Sequence, residues 1–239
     1  MARKSTAPRR KRFRSASHST ALEAAVKATK SVLDEEERAH ALIGGLAIAV
    51  RAHPRFTDDV DFALSCSDAD AEALVRSFVR RGFTMDALLM TKSTNRIATV
   101  RLKPQGSEVL VDLLFDFTGI ESEIVGSATD AEVRPGLVMR VATIPHLIAM
   151  KVLAFRKKDM IDLESLFEAA GSADLALARK AIAAISRAGK EPKRDLSADL
   201  NRLLAERELP DDEFIKVPRS LWPKGWARPK SGRRKPRKP

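Results

Sequence analysis

Acidic and apolar residues alternate along Thr57–Leu64, and this alternation constrains the fold more than any other stretch of the chain. Side chains on a strand point to alternate faces, so Asp59 and Asp61 share one face while Val60 and Phe62 point to the core. The two carboxylates are then roughly 6 to 7 Å apart, from a rise of about 3.3 Å per residue. Such a pair repels itself unless a cation lies between, and Mg²⁺ or Mn²⁺ suits that position. The alternative is an edge strand whose acidic face is solvated.

A second candidate strand carries a carboxylate in apolar surroundings. Asp112 lies in Val109–Phe115, among six apolar residues. An ionised carboxylate is costly there unless it is paired or bound to a metal. A third strand carboxylate beside the first two would complete a site for two metal ions. The alternative is that one face of this strand meets solvent.

A glycine pair follows a short apolar run. Gly44 and Gly45 end the run that starts at Ala41, and the apolar residues 46–50 come next, which predicts a strand, a tight turn and a helix. Without a Cβ the backbone can approach a ligand closely, and a following helix offers free N–H groups to phosphate. Many ordinary strand-to-helix turns also use glycine, so the pair alone does not assign a ligand.

Strands are predicted in the front of the chain and helices behind. Thr20 and Glu23 form a capping-box pattern that marks an opening helix. Apolar residues on one face predict a helix over 68–81, which Gly82 ends. Besides 57–64, strands are predicted over 84–90, 97–102 and 109–115. Later helices are predicted over 145–156, 159–170, 173–187 and 195–206.

This order indicates an α+β fold, in which helices flank a mixed sheet. The predicted sheet domain covers 19–143, and a helical C-terminal segment covers 144–208.

The net charge of +11 is very unevenly distributed. Residues 1–14 carry seven basic side chains and residues 216–239 carry ten, with no acid in either segment. The 26 Lys and Arg of residues 15–215 face all 32 Asp and Glu, so the middle of the chain is acidic. We therefore expect the chemistry of the folded part to depend on its carboxylates.

Disordered basic tails are predicted over 1–18 and 209–239, because these segments repel themselves and carry little apolar surface. They are either a non-specific tether for polyanions or a dedicated arm that binds nucleic acid. Trp222 and Trp226 could stack on bases, or could anchor the second tail to the domain.

The remaining composition bears on the compartment. The single cysteine, Cys66, cannot form an intramolecular disulfide, and no stretch approaches 18 uninterrupted apolar residues. The sequence therefore predicts a cytoplasmic protein that does not act in a membrane.

Taken together, these motifs resemble a known superfamily. Gly44-Gly45, a gap of 13 residues, Asp59-Val-Asp-Phe62 and the later Asp112 are similar to the polymerase-β-type nucleotidyltransferases. More narrowly, 42–50 followed by 55–61, and the later segment 147–163, resemble the AbiEii/AbiGii-toxin-like nucleotidyltransferases of bacteria. The resemblance implies NTP as substrate, Mg²⁺ or Mn²⁺ as cofactor and a cognate antitoxin as partner.

The resemblance also suggests roles for individual residues. Asp59, Asp61 and Asp112 would be the catalytic and metal-binding carboxylates. The expected nucleotide-binding residues are Gly44, Gly45, Arg55, Thr57 and Lys151. Arg55 could instead belong to a surface loop, and Thr57 could only shape the entrance of the strand.

Two residues in the later predicted helices have two possible interpretations each. Lys151 lies within an apolar helical stripe, so it either snorkels to water or faces an anionic group such as a triphosphate. Asp162 is close to the site in the resembling family, but Asp159-x-x-Asp162 at a helix start also caps free N–H groups.

The sequence therefore predicts a metal-dependent nucleotidyltransferase. It would transfer a nucleoside monophosphate from an NTP to RNA, protein or a small molecule, as the toxin of a toxin–antitoxin or phage-defence system. The alternative is a catalytically silent protein of the same fold that binds RNA or DNA through its basic tails.

Overall fold

The computed structural model describes residues 9–92, 94–115 and 117–208. The chain divides into two compact units, Met1–Leu200 and Asn201–Pro239. The first contains the whole sheet, and the described part of the second, residues 201–208, is helical. The tail predicted over 209–239, with Trp222 and Trp226, lies outside the described residues, as do residues 1–8.

The described chain begins with a long helix and then enters the sheet. The helices are α1 (Arg9–Glu35), α2 (Gly44–Arg51), α3 (Asp68–Arg80), α4 (Glu121–Ser127), α5 (Ile144–Ala154), α6 (Lys157–Ala169), α7 (Ser172–Arg187) and α8 (Leu196–Glu208). The strands are β1 (His40–Ile43), β2 (Asp59–Leu64), β3 (Phe83–Met90), β4 (Ile97–Pro104), β5 (Leu110–Leu114), β6 (Thr129–Arg134) and β7 (Leu137–Val141).

The seven strands form one mixed sheet in the order β3-β4-β5-β2-β1-β7-β6. Strand β2 runs parallel to β5 and antiparallel to β1, and both of its neighbours are central. Because a central strand is covered, its inward residues are apolar, and Val60 and Phe62 are fully buried. The α+β class with a mixed sheet and flanking helices is confirmed.

The helices pack onto the sheet through apolar faces. Helix α3 contacts β3 and β4 and buries Leu74 and Phe78. Helix α5 lies against α2, α6 and α7, and nearly all of its residues are buried. The helices predicted in the second half of the chain are confirmed within two residues at most boundaries.

One prediction of local structure was wrong. Helix α1 begins at Arg9, so Thr20 is not its N-cap. Arg, Lys and Ala favour helix, so a helix held by its buried second half can extend N-terminally.

Helix α4 and the hairpin of β6 and β7 were not predicted. The hairpin is charged and partly exposed, so it lacks a strong apolar alternation. Pro135-Gly136 at its turn, with a positive φ of 76° at the glycine, was the signal that could have revealed it.

Among the described residues, no helix is both long enough and apolar enough to cross a membrane. The cytoplasmic location remains a prediction from the sequence.

Candidate active site

Three carboxylates lie on one face of the sheet. On β2, Asp59 and Asp61 are half-buried and alternate with the fully buried Val60. On the parallel neighbour β5, Asp112 is the direct register partner of Asp61. Residues paired across adjacent strands point to the same face, so strand pairing brings the third acid beside the first two.

The pKa of Asp61 shows the strain of this cluster. Burial raises the pKa of this carboxyl to about 7, and the negative charges of Asp59 and Asp112 act in the same direction. The cations of Lys151 and Lys158 oppose the rise without cancelling it. A carboxylate in such a position gains from a nearby positive charge, which is the property expected of a cation-binding group.

Asp112 already has a cationic partner. Arg101, its register partner on β4, donates to both carboxylate oxygens, with Nε and Nη2 each at 2.7 Å. This forked pair raises the pKa of Arg101, chiefly through its hydrogen bonds to Asp112. Sequence reasoning missed Arg101, although its place two residues before the charged Lys103 on an alternating strand was a usable signal.

The glycine turn lies directly against the acids. Gly44 has a positive φ of 65°, and a Cβ placed there would be 1.9 Å from Oδ2 of Asp61. A Cβ on Gly45 would be 2.6 Å from the hydroxyl oxygen of Thr57. Both positions therefore need glycine, because any side chain would displace a residue of the site.

We expect Gly44→Ala to impair the site more than it impairs folding. The added methyl forces the Asp61 carboxylate aside, and a displacement near 1 Å can cost about a hundredfold in rate. Gly106→Ala is the matched control, because Gly106 also has a positive φ of 72° but has nothing within 4 Å.

Chemical denaturation and transfer assays measure the two effects. Both variants should lose about 1 to 2 kcal/mol of stability from the left-handed backbone. Only Gly44→Ala should lose transfer. Equal activity of the two variants would contradict a functional close approach at Gly44.

Thr57 holds Asp59 in place. Its hydroxyl is buried and donates to Oδ1 of Asp59 at 2.6 Å. The structure thus gives Thr57 a contact to a site carboxylate, and its predicted role in nucleotide binding stays a prediction.

A chain of ion pairs borders the acids on the side of α5 and α6. Nζ of Lys151 lies 2.9 Å from Asp159 and 2.7 Å from Asp162, and both carboxylates are almost fully buried. Asp162 also accepts hydrogen bonds from Nη1 of Arg55. Lys151 is buried, so its ammonium group does not snorkel to water. The anionic groups that it faces are protein carboxylates, and its predicted role in nucleotide binding stays a prediction.

Asp159 has both a structural role and an electrostatic role. It accepts from the backbone N–H of Arg156 at 2.9 Å, as a capping residue of α6 does, and it pairs with the side chains of Arg156 and Lys151. Burial raises its pKa, but the hydrogen bonds of Arg156 and Lys151 outweigh burial and lower the pKa to about 2. Asp159 therefore caps α6, as its position predicted, and its ion pairs with Arg156 and Lys151 were not predicted.

These groups line one cleft of about 410 Å³. Its polar wall contains the acids, the glycine turn and four of the basic side chains, Arg55, Arg101, Lys151 and Arg156. The volume is in the range of small-molecule sites. The cleft can therefore hold a negatively charged group of a ligand near the glycines. It can also hold a cation near the acids.

The residues fit a divalent cation in part. Asp59 and Asp61 offer hard oxygen ligands on one face, as Mg²⁺ and Mn²⁺ prefer. Within the described ranges, however, no three His, Cys, Asp or Glu side chains are arranged as a metal site. Both carboxylate oxygens of Asp112 instead accept hydrogen bonds from Arg101.

An acidic sheet face beside a glycine turn, within a mixed sheet, is the arrangement expected of a nucleotidyl-transferring enzyme. A family model confirms this class over residues 30–232. The chain belongs to the AbiEii family, the nucleotidyl transferase toxins of type IV toxin–antitoxin systems. The resemblance inferred from the sequence motifs is thereby confirmed.

Several solved structures are similar to the chain. The antibiotic-resistance factor ANT(2'')-Ia is 14% identical, with a TM-score of 0.46 over 80% of this chain and 96% of that one. The lincomycin-bound lincosamide adenylyltransferase LnuA is 10% identical, with a TM-score of 0.39 over 59% and 92%. A nucleotidyltransferase-like antigen of Paracoccidioides brasiliensis is 20% identical, with a TM-score of 0.40 over 74% and 89%. No curated protein matches the chain.

Proposed function

We propose that this protein transfers a nucleoside monophosphate from an NTP to an acceptor, with Mg²⁺ or Mn²⁺, and acts as the toxin of a toxin–antitoxin pair. The observation that carries the proposal is the alignment of Asp59, Asp61 and Asp112 on one sheet face beside the glycine turn. Family membership supports nucleotidyl transfer and the link to an antitoxin.

Asp59 and Asp61 would hold the cation. The raised pKa of Asp61, which burial and its acidic neighbours cause, indicates a carboxylate that a positive charge would stabilise. A bound Mg²⁺ or Mn²⁺ would neutralise phosphate oxygens and polarise the phosphorus centre. Asp112 would become a third ligand only if Arg101 releases one of the two carboxylate oxygens of Asp112.

The chain's own groups would orient the donor nucleotide. The N–H groups at the start of α2, where Gly44 and Gly45 allow close approach, suit phosphate oxygens. Arg55 and Lys151 lie in the same cleft and would add positive charge. Thr57 would keep Asp59 aligned through its hydrogen bond.

The proposed reaction forms one bond and breaks one. A hydroxyl oxygen of the acceptor bonds to the α-phosphorus while the bond from that phosphorus to the bridging oxygen breaks, and pyrophosphate leaves. The hydroxyl proton would pass to a carboxylate oxygen of Asp112 after that oxygen has lost its hydrogen bond from Arg101.

The acceptor class is open among RNA, protein and small molecules. Incubation with each of four α-labelled NTPs, Mg²⁺ or Mn²⁺, and either total RNA or total protein tests the proposal directly. We expect label on one fraction, dependent on the cation and absent with Asp59→Asn. Label transfer that persists in excess chelator, or no transfer from any NTP to RNA, protein or small-molecule extracts, would contradict it.

A further inference from the structure

The floor of the cleft beside the acids consists of two neighbouring rows across the sheet. One row is charged, since Arg101 on β4 pairs with Asp112, which pairs with Asp61. The next row, two residues along each strand, is Leu89, Thr99 and Leu114, which are register partners in the same way. Residues two apart on a strand share a face, so both rows floor the same cleft.

Thr99 has an unsatisfied hydroxyl. The residue is 9% exposed, and its Oγ1 is buried with no hydrogen-bond partner among the described residues. A buried polar group without a partner is costly, and in native proteins it commonly marks a position that a ligand or water completes. Thr99 lines the cleft, so a molecule bound there would lie beside this hydroxyl.

The surroundings of this hydroxyl are apolar. Leu114, the register partner of Thr99 on the adjacent strand, is buried. Leu89 and Phe117, which line the same cleft, remain 55% and 43% exposed. A cleft that combines exposed large apolar side chains with one unpaired hydroxyl suits a flat group with apolar faces and a polar edge. Nucleobases have this chemistry, and any of the bases can stack on an aromatic side chain.

We propose that Leu89, Thr99, Leu114 and Phe117 form a nucleobase subsite, in which the Thr99 hydroxyl bonds the edge of the base. The inference rests on the proposed nucleotidyl transfer and names one part of its substrate. The base belongs either to the donor NTP or to the terminal nucleotide of an acceptor strand. A hydroxyl both donates and accepts, so the structure assigns the class of group and not one particular base.

Thr99→Val tests the subsite, because valine keeps the shape and removes only the hydroxyl. Thr84→Val is the matched control, since Thr84 lies exposed on β3, outside the cleft, and its hydroxyl donates to the Lys103 carbonyl. In the ligand-free protein we expect Thr99→Val to raise the melting temperature by about 2 to 4 °C, because a buried unpaired hydroxyl is removed. A purely structural threonine would instead lower it.

Binding is then measured by calorimetry in two arms. The first uses non-hydrolysable analogues of the four NTPs, with inorganic tripolyphosphate as a probe that lacks a base. The second uses four short RNAs that differ only in the 3′-terminal base. We expect Thr99→Val to weaken binding of the preferred base about tenfold in one arm and to reduce the differences in affinity among the bases there. The affinity for tripolyphosphate should not change.

The two proposals fail in distinguishable ways. Absence of NTP binding by the wild-type protein would contradict the proposed nucleotidyl transfer. If the wild-type protein binds NTP while Thr99→Val keeps its affinity and its base preference in both arms, the subsite is wrong and the transfer proposal stands. An effect in the first arm assigns the base to the donor, and an effect in the second assigns it to the acceptor.

Discussion

Asp61→Asn should lower nucleotidyl transfer by on the order of a thousandfold while the protein stays folded. Asp61 is the central carboxylate of the site, with Asp112 as its direct register partner and Gly44 packed against it. The amide keeps the shape of the side chain but loses the charge that would hold a cation. Neutralising one of three neighbouring carboxylates also removes repulsion, so the melting temperature of the metal-free protein should hold or rise.

Steady-state transfer rates and thermal melts, measured on the same preparations, test both halves of this expectation. Asp58→Asn is the matched control, because Asp58 is exposed immediately before β2 and does not line the cleft. We expect that control to keep its activity. Full activity of Asp61→Asn would remove Asp61 from the catalytic machinery, and unfolding of the variant would assign it a structural role.

Lys151→Met should destabilise the fold by about 3 to 5 kcal/mol, the usual cost of breaking a buried ion pair from one side. The substitution preserves the apolar stem but leaves Asp159 and Asp162, both almost fully buried, without the ammonium group between them. Arg156 and Arg55 keep their contacts to these carboxylates, which limits the loss. Lys157→Met, at an exposed position on α6, should change stability by less than about 0.5 kcal/mol.

Urea unfolding of Lys151→Met, Asp159→Asn and the double variant isolates the pair. The double variant should be more stable than the sum of the two single losses predicts, because the neutral amide that replaces the Asp159 carboxylate no longer needs the lysine. Additive losses would show that Lys151 acts through other contacts.

The acid side of the pH profile offers a second measure of the same pair. The pKa of Asp159 falls to about 2 in the folded protein, as Arg156 and Lys151 outweigh burial, from an ordinary value of 3.8. A lowered carboxyl pKa stabilises the fold above the unfolded value, and this stabilisation is lost as the pH falls from about 4 through 2. We expect Asp159→Asn to flatten the stability profile in that window.

The predictions for Asp61 and Lys151 depend on different kinds of information. The shared face of Asp59 and Asp61 follows from alternation along one strand, and the turn at Gly44-Gly45 follows from a glycine pair between two apolar runs. Both patterns are local, since the geometry of a strand or a turn is set within a few residues. The same reasoning found α3 and α5 through α8, whose apolar residues repeat with the period of a helix. It missed β6 and β7, because a charged, exposed hairpin carries little of that signal.

The sequence alone therefore determined the acidic strand, the glycine turn, the α+β class and the family motifs. Only the tertiary structure decided that Asp112 pairs with Asp61, that Arg101 occupies both oxygens of Asp112, and that Lys151 is held between Asp159 and Asp162. It alone also revealed the unpaired hydroxyl of Thr99 among the described residues. Strand register and helix packing join residues far apart along the chain, and their partners are chosen by the burial of the whole core rather than by any local pattern.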